Sequence, residues 1–492
     1  MGKGKFSHKN FFHRITTVAK FRAVVYNIYV MTEAEKTSQQ YYDKMTKTPV
    51  AKLVALLGIP TTVSMLISGI YNMADTYFVS TLGKSATGAV SILFTLQAMI
   101  QAVAFMLGHG SGTYVAKELA NRDNDKATMY VSTAFFIGGA FGLVFAALGL
   151  CLLAPFMRLL GSTETILPYA MDYGMWVFIG CPFLIMSLVL NNNLRYEGKA
   201  TYAMVGLVSG GILNILLDYV FVIVCNMGVF GAGLATAISQ VVSFVLLVIF
   251  YLLKAQSTIR FSAISKSGKT YLQILKNGFP SFVRQGFNCL SSGILNHVAG
   301  RYGAMLTPDI PTDGADATIS AIGIVNRVAT LVLTVGLGIG QGLQPVASYN
   351  YQLKEYARVK RAVVATCLIN LGVVVVVGIP VAIFAPQIVG VFDNSPLVLQ
   401  TGIPALRYAM YGMMFMPLSM PICMCYQSIR KARVATLLAM LRNGLVFIPV
   451  LFIVTALWQV VGVQIAQPLS DAISGLISLP FLIHFLTTTP KE

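Results

Sequence analysis

Two aspartates stand inside long apolar stretches: Asp75, within Tyr71-Asn72-Met73-Ala74-Asp75-Thr76, and Asp218, within Asn214-Ile215-Leu216-Leu217-Asp218. A charge at membrane depth costs roughly 2.5–3.5 kcal/mol on insertion, so each acid needs a reason to be there. Tyr71 and Asn72 precede Asp75 by four and three residues, and Asn214 precedes Asp218 by four. On helices, each acid therefore shares a face with polar neighbours. Counted from the basic ends of their stretches, the two acids differ in depth by about 6 Å at 1.5 Å per residue. Thr236, entering from the opposite end of the next stretch, reaches a similar level. Two carboxylates in one poorly hydrated cavity cannot both ionise cheaply. Such a pair suits the exchange of H⁺, or the holding of Na⁺ by Asp75, Asn214, Asp218 and Thr236. The plainer alternative is that each acid only hydrogen-bonds within its own bundle. No nucleotide-binding glycine loop, metal motif or nucleophile triad stands in the sequence, so neither an ATP-driven pump nor an enzyme is expected, and no cofactor beyond a coupling ion. His109 and His297 could relay protons, although a lone histidine among glycines is more often a packing residue.

The elements that must position these residues are membrane helices. Hydrophobic residues make up 56% of the 492 and charged residues 11%, against about a quarter charged in soluble domains. Twelve apolar blocks, from 53–80 to 461–487, are each long enough to span a hydrocarbon core. The unit repeats. Gly58-Ile59-Pro60 through Leu153-Ala154-Pro155 reappears as Gly278-Phe279-Pro280 through Phe384-Ala385-Pro386, and Gly108-His109-Gly110-Ser111-Gly112 as Gly338-Ile339-Gly340-Gln341-Gly342. Val229-Phe230-Gly231 is echoed by Val460-Val461-Gly462. Duplication of an apolar unit is typical of transporters that move one half against the other. The expected fold is an all-α membrane protein, with twelve transmembrane helices in two pseudo-twofold-related six-helix bundles. Its divisions are a cytoplasmic extension over 1–48, a first lobe over 49–254, a basic cytoplasmic linker over 255–274 and a second lobe over 275–487.

Charge placement supports this layout. The formal net charge is +17, but Lys and Arg crowd alternate loops, as orientation signals do, and not a nucleic-acid surface. Both termini are then cytoplasmic and the protein a multi-pass component of the plasma (inner) membrane, surrounded by lipids and with no nucleic-acid partner. It is expected to act as a monomer on a small-molecule substrate. The positions matching Asp75 and Asp218 in the second copy are Leu295 and Phe447, both apolar. That copy carries Arg284 and Arg442 within spans, with Arg327 and Arg407 as further candidates. Arg284 either faces a central cleft or pairs within its bundle, and Asp471 reads as a packing acid or a second coupling residue. Pro60 and Pro280 fall at the same point of each copy, so the kink is architectural, and Pro60 is a hinge candidate.

The first 48 residues stand apart. Residues 1–30 are basic and without acids; they read as a surface anchor, a transit-like peptide, or upstream sequence before a start at Met31. Weak order is expected before Thr48.

Taken jointly, Gly58-Ile59-Pro60, Tyr71-Asn72-Met73-Ala74-Asp75-Thr76-Tyr77-Phe78, Asn214-Ile215-Leu216-Leu217-Asp218, Gly231-Ala232-Gly233-Leu234-Ala235-Thr236 and Gly340-Gln341-Gly342-Leu343-Gln344-Pro345 resemble the multidrug and toxic compound extrusion (MATE) family, over about 49–487. The resemblance implies cation-coupled antiport, exporting drug-like, often cationic organic compounds by rocking of two six-helix lobes. It also implies that residues matching Asp75, Asn214, Asp218 and Thr236 bind the coupling ion. Tyr71, Tyr173 and Asn191 match positions of the same polar cavity. Some relatives place an acid in the seventh helix, where this chain has Arg284 and neither Asp nor Glu, which puts a cation site in the second lobe in doubt. Two rival readings are a lipid-linked oligosaccharide flippase of the same superfamily, favoured by a wide basic cleft, and a non-transporting receptor or scaffold, which leaves the duplication and the buried acids unexplained.

Overall fold

A computed structural model describes residues 38–307, 310–488 and 490. Among the described residues every regular element is a helix, as lipid demands when each backbone amide must find its partner within its own segment. In the first half run α1 (Val50–Ser80), α2 (Lys84–Ala120), α3 (Asn124–Cys151), α4 (Leu167–Tyr196), α5 (Ala200–Asp218) and α6 (Gly228–Lys254). The second half holds α7 (Gly268–Gly303), α8 (Pro311–Gln352), α9 (Tyr356–Val373), α10 (Pro396–Met413), α11 (Met416–Ser428), α12 (Ala432–Met440) and α13 (Phe447–Thr488). Nine described stretches are long and apolar enough to cross a membrane, and α10 with α11, bent by 50° at their junction, makes a tenth. One of the nine is the 57-residue run Ala432–Thr488, which is broken at Gln459, where φ is +49°. α7 is 36 residues long, but Lys269, Lys276, Arg284 and Arg301 reduce its apolarity.

The duplication is visible in the backbone. Left-handed residues close matching helices in the two halves: Arg122 (φ 59°) and Lys354 (φ 64°), Gly198 (φ 73°) and Arg430 (φ 64°), Asn226 (φ 52°) and Gln459 (φ 49°). A left-handed residue past a helix end turns the chain away while satisfying the last carbonyls. The Gln459 break is thus the counterpart of the turn between α5 and α6.

The repeated small residues explain how the halves meet. α7 lies against α2 so closely that a Cβ on Gly278 would stand 1.8 Å from the Met106 carbonyl oxygen, and one on Gly110 2.1 Å from that of Ile274. α1 meets α8 in the same manner: a Cβ on Gly58 would lie 2.9 Å from Ile339 Cα, and one on Gly338 2.6 Å from Thr62 Cα. Only glycine permits backbones this near. Pro60 sits between these two contacts, and α1 remains helical across it.

Two boundaries differ from the sequence reading. The linker ends earlier, because α7 begins at Gly268 and its first turns are polar, so no apolar pattern marked them. The linker is also tied down: the backbone amides of Thr258, Arg260 and Ser265 donate to hydroxyls of Thr128, Ser132 and Thr133 on α3. The buried Glu197 carboxylate accepts from Tyr251 (2.9 Å), from the Gln256 amide (2.5 Å) and from Ser257. Residues 38–47 are helical where the polar lead-in was expected to be weakly ordered. Asp43 explains it, accepting from Gln39 (3.0 Å) and pairing with Lys47 (2.9 Å), each four residues away. The readings made for residues 1–37 lie outside the described residues.

Candidate functional site

The first half gathers five polar side chains from four helices. Tyr173 on α4 donates its hydroxyl to Asp75 Oδ2 on α1 at 3.0 Å, and the same hydroxyl lies 3.0 Å from Thr236 Oγ1 on α6. Asn214 on α5 donates to Thr236 Oγ1 (3.3 Å) and sits at the long limit of a hydrogen bond, 3.5 Å, from Asp218 Oδ1. An unbroken polar chain therefore joins Asp75 to Asp218. Both carboxylates are buried, Asp75 at 2% exposure and Asp218 at 0%. No basic side chain forms an ion pair with either acid among the described residues.

Local structure explains the placement. The α-helix ends at Asp218 and the chain continues as a wider π turn, Tyr219–Val224; such turns are frequent at functional sites because they re-aim neighbouring side chains. Gly210 and Gly211 let α5 approach α6 and α1: a Cβ on Gly210 would lie 2.8 Å from Ser243 Cβ, and one on Gly211 3.0 Å from the Tyr71 ring. Three oxygens at the cluster are buried without a hydrogen-bond partner: Asp75 Oδ1, Asn214 Oδ1 and Asp218 Oδ2. Unpaired buried acceptors are costly, and a proton or a small cation would satisfy them. The donor set, all oxygen, suits a hard cation.

Beside the cluster lies a small cavity whose wall includes Tyr71, Asn214 and Thr236. Ser68, Ser187, Ser239, Gln240 and Ser243 also line it, and the sequence reading missed them. Their signal was available: Ser68, Tyr71 and Asp75, and likewise Thr236, Ser239 and Ser243, recur at three- and four-residue steps, one polar stripe per helix.

Two candidates do not join. Asn72 is half-buried and is neither in the hydrogen-bonded chain nor on the cavity wall, because it lies about 100° around the helix from Tyr71, on the other side of Asp75. Asn191 instead clamps α4 to α5, donating to the Ala203 carbonyl at 2.8 Å. His297 is exposed. His109 is fully buried and meets Ser281 of the second half, Nδ1 to Oγ 2.9 Å. Its neighbour in that contact zone is Arg195 on α4, which donates to Gln341 on α8 and, at 2.6 Å, to Asn192. Histidine and arginine here tie the halves together and are not linked to the acids.

In the second half the positions matching the acids are packing residues, Leu295 and Phe447 both belonging to its hydrophobic core. Arg442 pairs bidentately with Asp471, at 2.8 and 3.2 Å, and Gln467 adds a third donor at 2.9 Å. Asp471 is thus neutralised by a partner, unlike Asp75 and Asp218. Arg407 donates to the Ala382 carbonyl at 3.3 Å, and Arg327 is exposed. Arg284 faces a second-half cavity, and no ion pair holds it among the described residues.

A duplicated, multi-pass helical protein with an isolated polar site in one half has the build of a membrane transporter. The MatE family model matches residues 60–220 and 314–453, and the chain belongs to that family, whose members are transporters and not enzymes. It is 26% identical over 449 residues to the multidrug export protein MepA of Staphylococcus saprophyticus subsp. saprophyticus, covering 90% of this chain and 95% of that protein. A MepA of Staphylococcus aureus matches similarly, 26% over 448 residues. Among solved structures, one described as an outward-facing multidrug resistance MATE transporter of the MOP superfamily superposes with a TM-score of 0.84 at 23% identity, over 91% of this chain and 98% of that one. A MOP superfamily transporter from Pyrococcus furiosus gives 0.83 at 23% identity, over 92% and 98%.

Proposed function

We propose that this transporter exports drug-like, often cationic organic compounds across the plasma (inner) membrane, exchanging them for H⁺ or Na⁺. Twelve spans form two six-helix lobes in this reading, counting α7 and taking α12 and α13 as two spans parted at Gln459. The lobes rock about their glycine contacts, with Pro60 as a hinge, and both termini are cytoplasmic. The protein acts as a monomer. The ion enters the Asp75–Asp218 site from outside, and it drives export because it binds the two conformations with unequal affinity. Tyr173 orients Asp75, while Asn214 and Thr236 complete the oxygen cage.

One observation carries the reading: two buried, unpaired carboxylates joined by hydrogen bonds, with three acceptors open to a cation. The export of drugs by similar proteins supports the substrate class. Efflux of a fluorescent organic cation from proteoliposomes, under separately imposed H⁺ and Na⁺ gradients, tests it. Wild type is expected to respond to one gradient. Asp75→Asn and Asp218→Asn should each lose gradient-driven efflux, about 100-fold or more, while inserting normally; full efflux from Asp75→Asn would overturn the assignment. The basic second half gives the flippase reading its one support, and flipping of a polyprenyl-linked sugar without dye export would favour it.

A further inference from the structure

An open groove of about 580 Å³ runs along the flank of the second half, with Val374, Gly378 and Ala382 on one wall and Arg407, Met410 and Met414 on the other. Its first wall is the continuation of α9. Past Val373 the chain widens into a π turn, Val374–Gly378, and then forms a short helix, Ile379–Ile383. Gly378 keeps the space hollow: a Cβ there would make only ordinary contacts, 3.5 Å from Val374 Cγ1 and 3.7 Å from Met410 Sδ. The second wall is α10. Val376, Ile383 and Tyr411 around the groove are exposed, so this flank faces the surrounding hydrocarbon and not the partner half.

One charge stands in this apolar wall. Arg407 is exposed, and its Nε donates to the Ala382 carbonyl at 3.3 Å. That carbonyl is free to accept because the residue four places on is Pro386, which has no N–H to give it. The bond pins the guanidinium at the head of the groove and leaves its Nη groups without a partner among the described residues. Asp393, in the adjoining loop, accepts from the Ser395 amide at 2.8 Å and pairs with no base. Depth gives the missing partner a place. Ala382 lies about 20 residues past Arg361 and Arg407 about 20 before Arg430, each roughly 30 Å of helix. That is the thickness of a hydrocarbon core. Measured from the basic helix ends, Arg407 therefore reaches the opposite boundary of the core, where lipid phosphates stand.

We propose that this groove holds one acidic phospholipid, its phosphate on the Arg407 guanidinium and an acyl chain along Gly378 and Met410. The planar fork of an arginine matches phosphate oxygens bidentately, and a lipid-facing arginine without a protein counter-charge is costly until such a partner arrives. Tyr408 and Tyr411, both exposed beside Arg407, are the residue type that settles at headgroup level. A headgroup with net negative charge is preferred, because the ammonium of a zwitterionic lipid sets a second positive charge near the guanidinium. The site is independent of the transported compound and of the ion exchanged for it.

Native mass spectrometry of the purified full chain in uncharged detergent counts the lipids that stay bound. Dioleoylphosphatidylglycerol and dioleoylphosphatidylcholine are titrated in parallel. Wild type is expected to hold the first phosphatidylglycerol about tenfold more tightly than phosphatidylcholine. Arg407→Gln should lose that preference, and Arg407→Lys should keep part of it, as a point charge without the fork. Arg327→Gln removes another exposed arginine, on α8 and outside the groove, and should leave the preference as it was. Thermal unfolding without added lipid confirms that each variant is folded. Equal retention of the two lipids by wild type, a preference that survives in Arg407→Gln, or an equal loss in Arg327→Gln overturns the site. Displacement of phosphatidylglycerol by excess glycerol 3-phosphate also overturns it, since the guanidinium would then bind a phosphate with no use for the groove.

Discussion

The two halves descend from one pattern and have kept its backbone while parting in charge. Asp75 and Asp218 in the first are unpaired acids joined through Tyr173, Thr236 and Asn214. At their counterparts in the second stand Leu295 and Phe447, packed in a hydrophobic core, and the polar material has moved to Arg284 and the Arg442–Asp471 pair. The glycine contacts and left-handed turns did not move. The scaffold of such a transporter is thus held by small residues and turn geometry, leaving the interior charges of each half free to diverge. One half holds two unpaired acids, and the other has Arg284 in excess of its Arg442–Asp471 pair.

Substitutions can break that contrast. Arg442→Met strands a buried carboxylate, and removing one partner of a buried pair costs about 3–5 kcal/mol. The unfolding temperature in detergent should fall sharply, and Arg442→Met/Asp471→Leu should recover most of it. If the single variant were as stable as wild type, the ion pair would have no structural role. Gly278→Ala sets a methyl group against the Met106 carbonyl and should cost about 3 kcal/mol, near the upper end for overpacking. Gly286→Ala on the same helix, where a Cβ meets nothing within 4 Å, should be neutral or slightly stabilising by helix propensity. Equal thermal stabilities for these two would remove the close α2–α7 contact from the account. The smallest expected effect is that of Tyr173→Phe. It deletes a hydrogen bond to a carboxylate, worth about 1.5 kcal/mol, and should slow gradient-driven efflux about tenfold without changing which ion drives it. An unaltered rate would place Tyr173 outside the coupling chain.

Much of this was legible in the sequence, and the reasons are physical. Apolar blocks of spanning length mark membrane helices directly, and Asp75 and Asp218 stood out because charge is rare there. The glycine signatures betrayed the repeat, but not that they serve contacts between halves, since close approach of Gly278 to Met106 joins residues far apart in sequence. Periodicity put Asn72 beside Asp75, yet Tyr71 and Asn72 are about 100° apart around the helix, on opposite sides of Asp75, and the cavity lies on the Tyr71 side. Tyr173 came only through family resemblance, because a tyrosine in an apolar helix carries no local mark of its partner. The Arg442–Asp471 pair was hidden for the same reason: its members lie on opposite sides of the Gln459 break, Arg442 in the π turn Leu441–Leu445 and Asp471 on α13.

In the proposed exchange, the acid pair of the first half carries the ion that the substrate is exchanged for. The direct test runs the exchange backwards: proteoliposomes are given a gradient of an organic cation and no ion gradient, and the movement of H⁺ and Na⁺ is recorded. Wild type should drive one of these ions against the dye, and Asp75→Asn and Asp218→Asn should drive neither. Ion movement at the wild-type rate in either variant would contradict the claim.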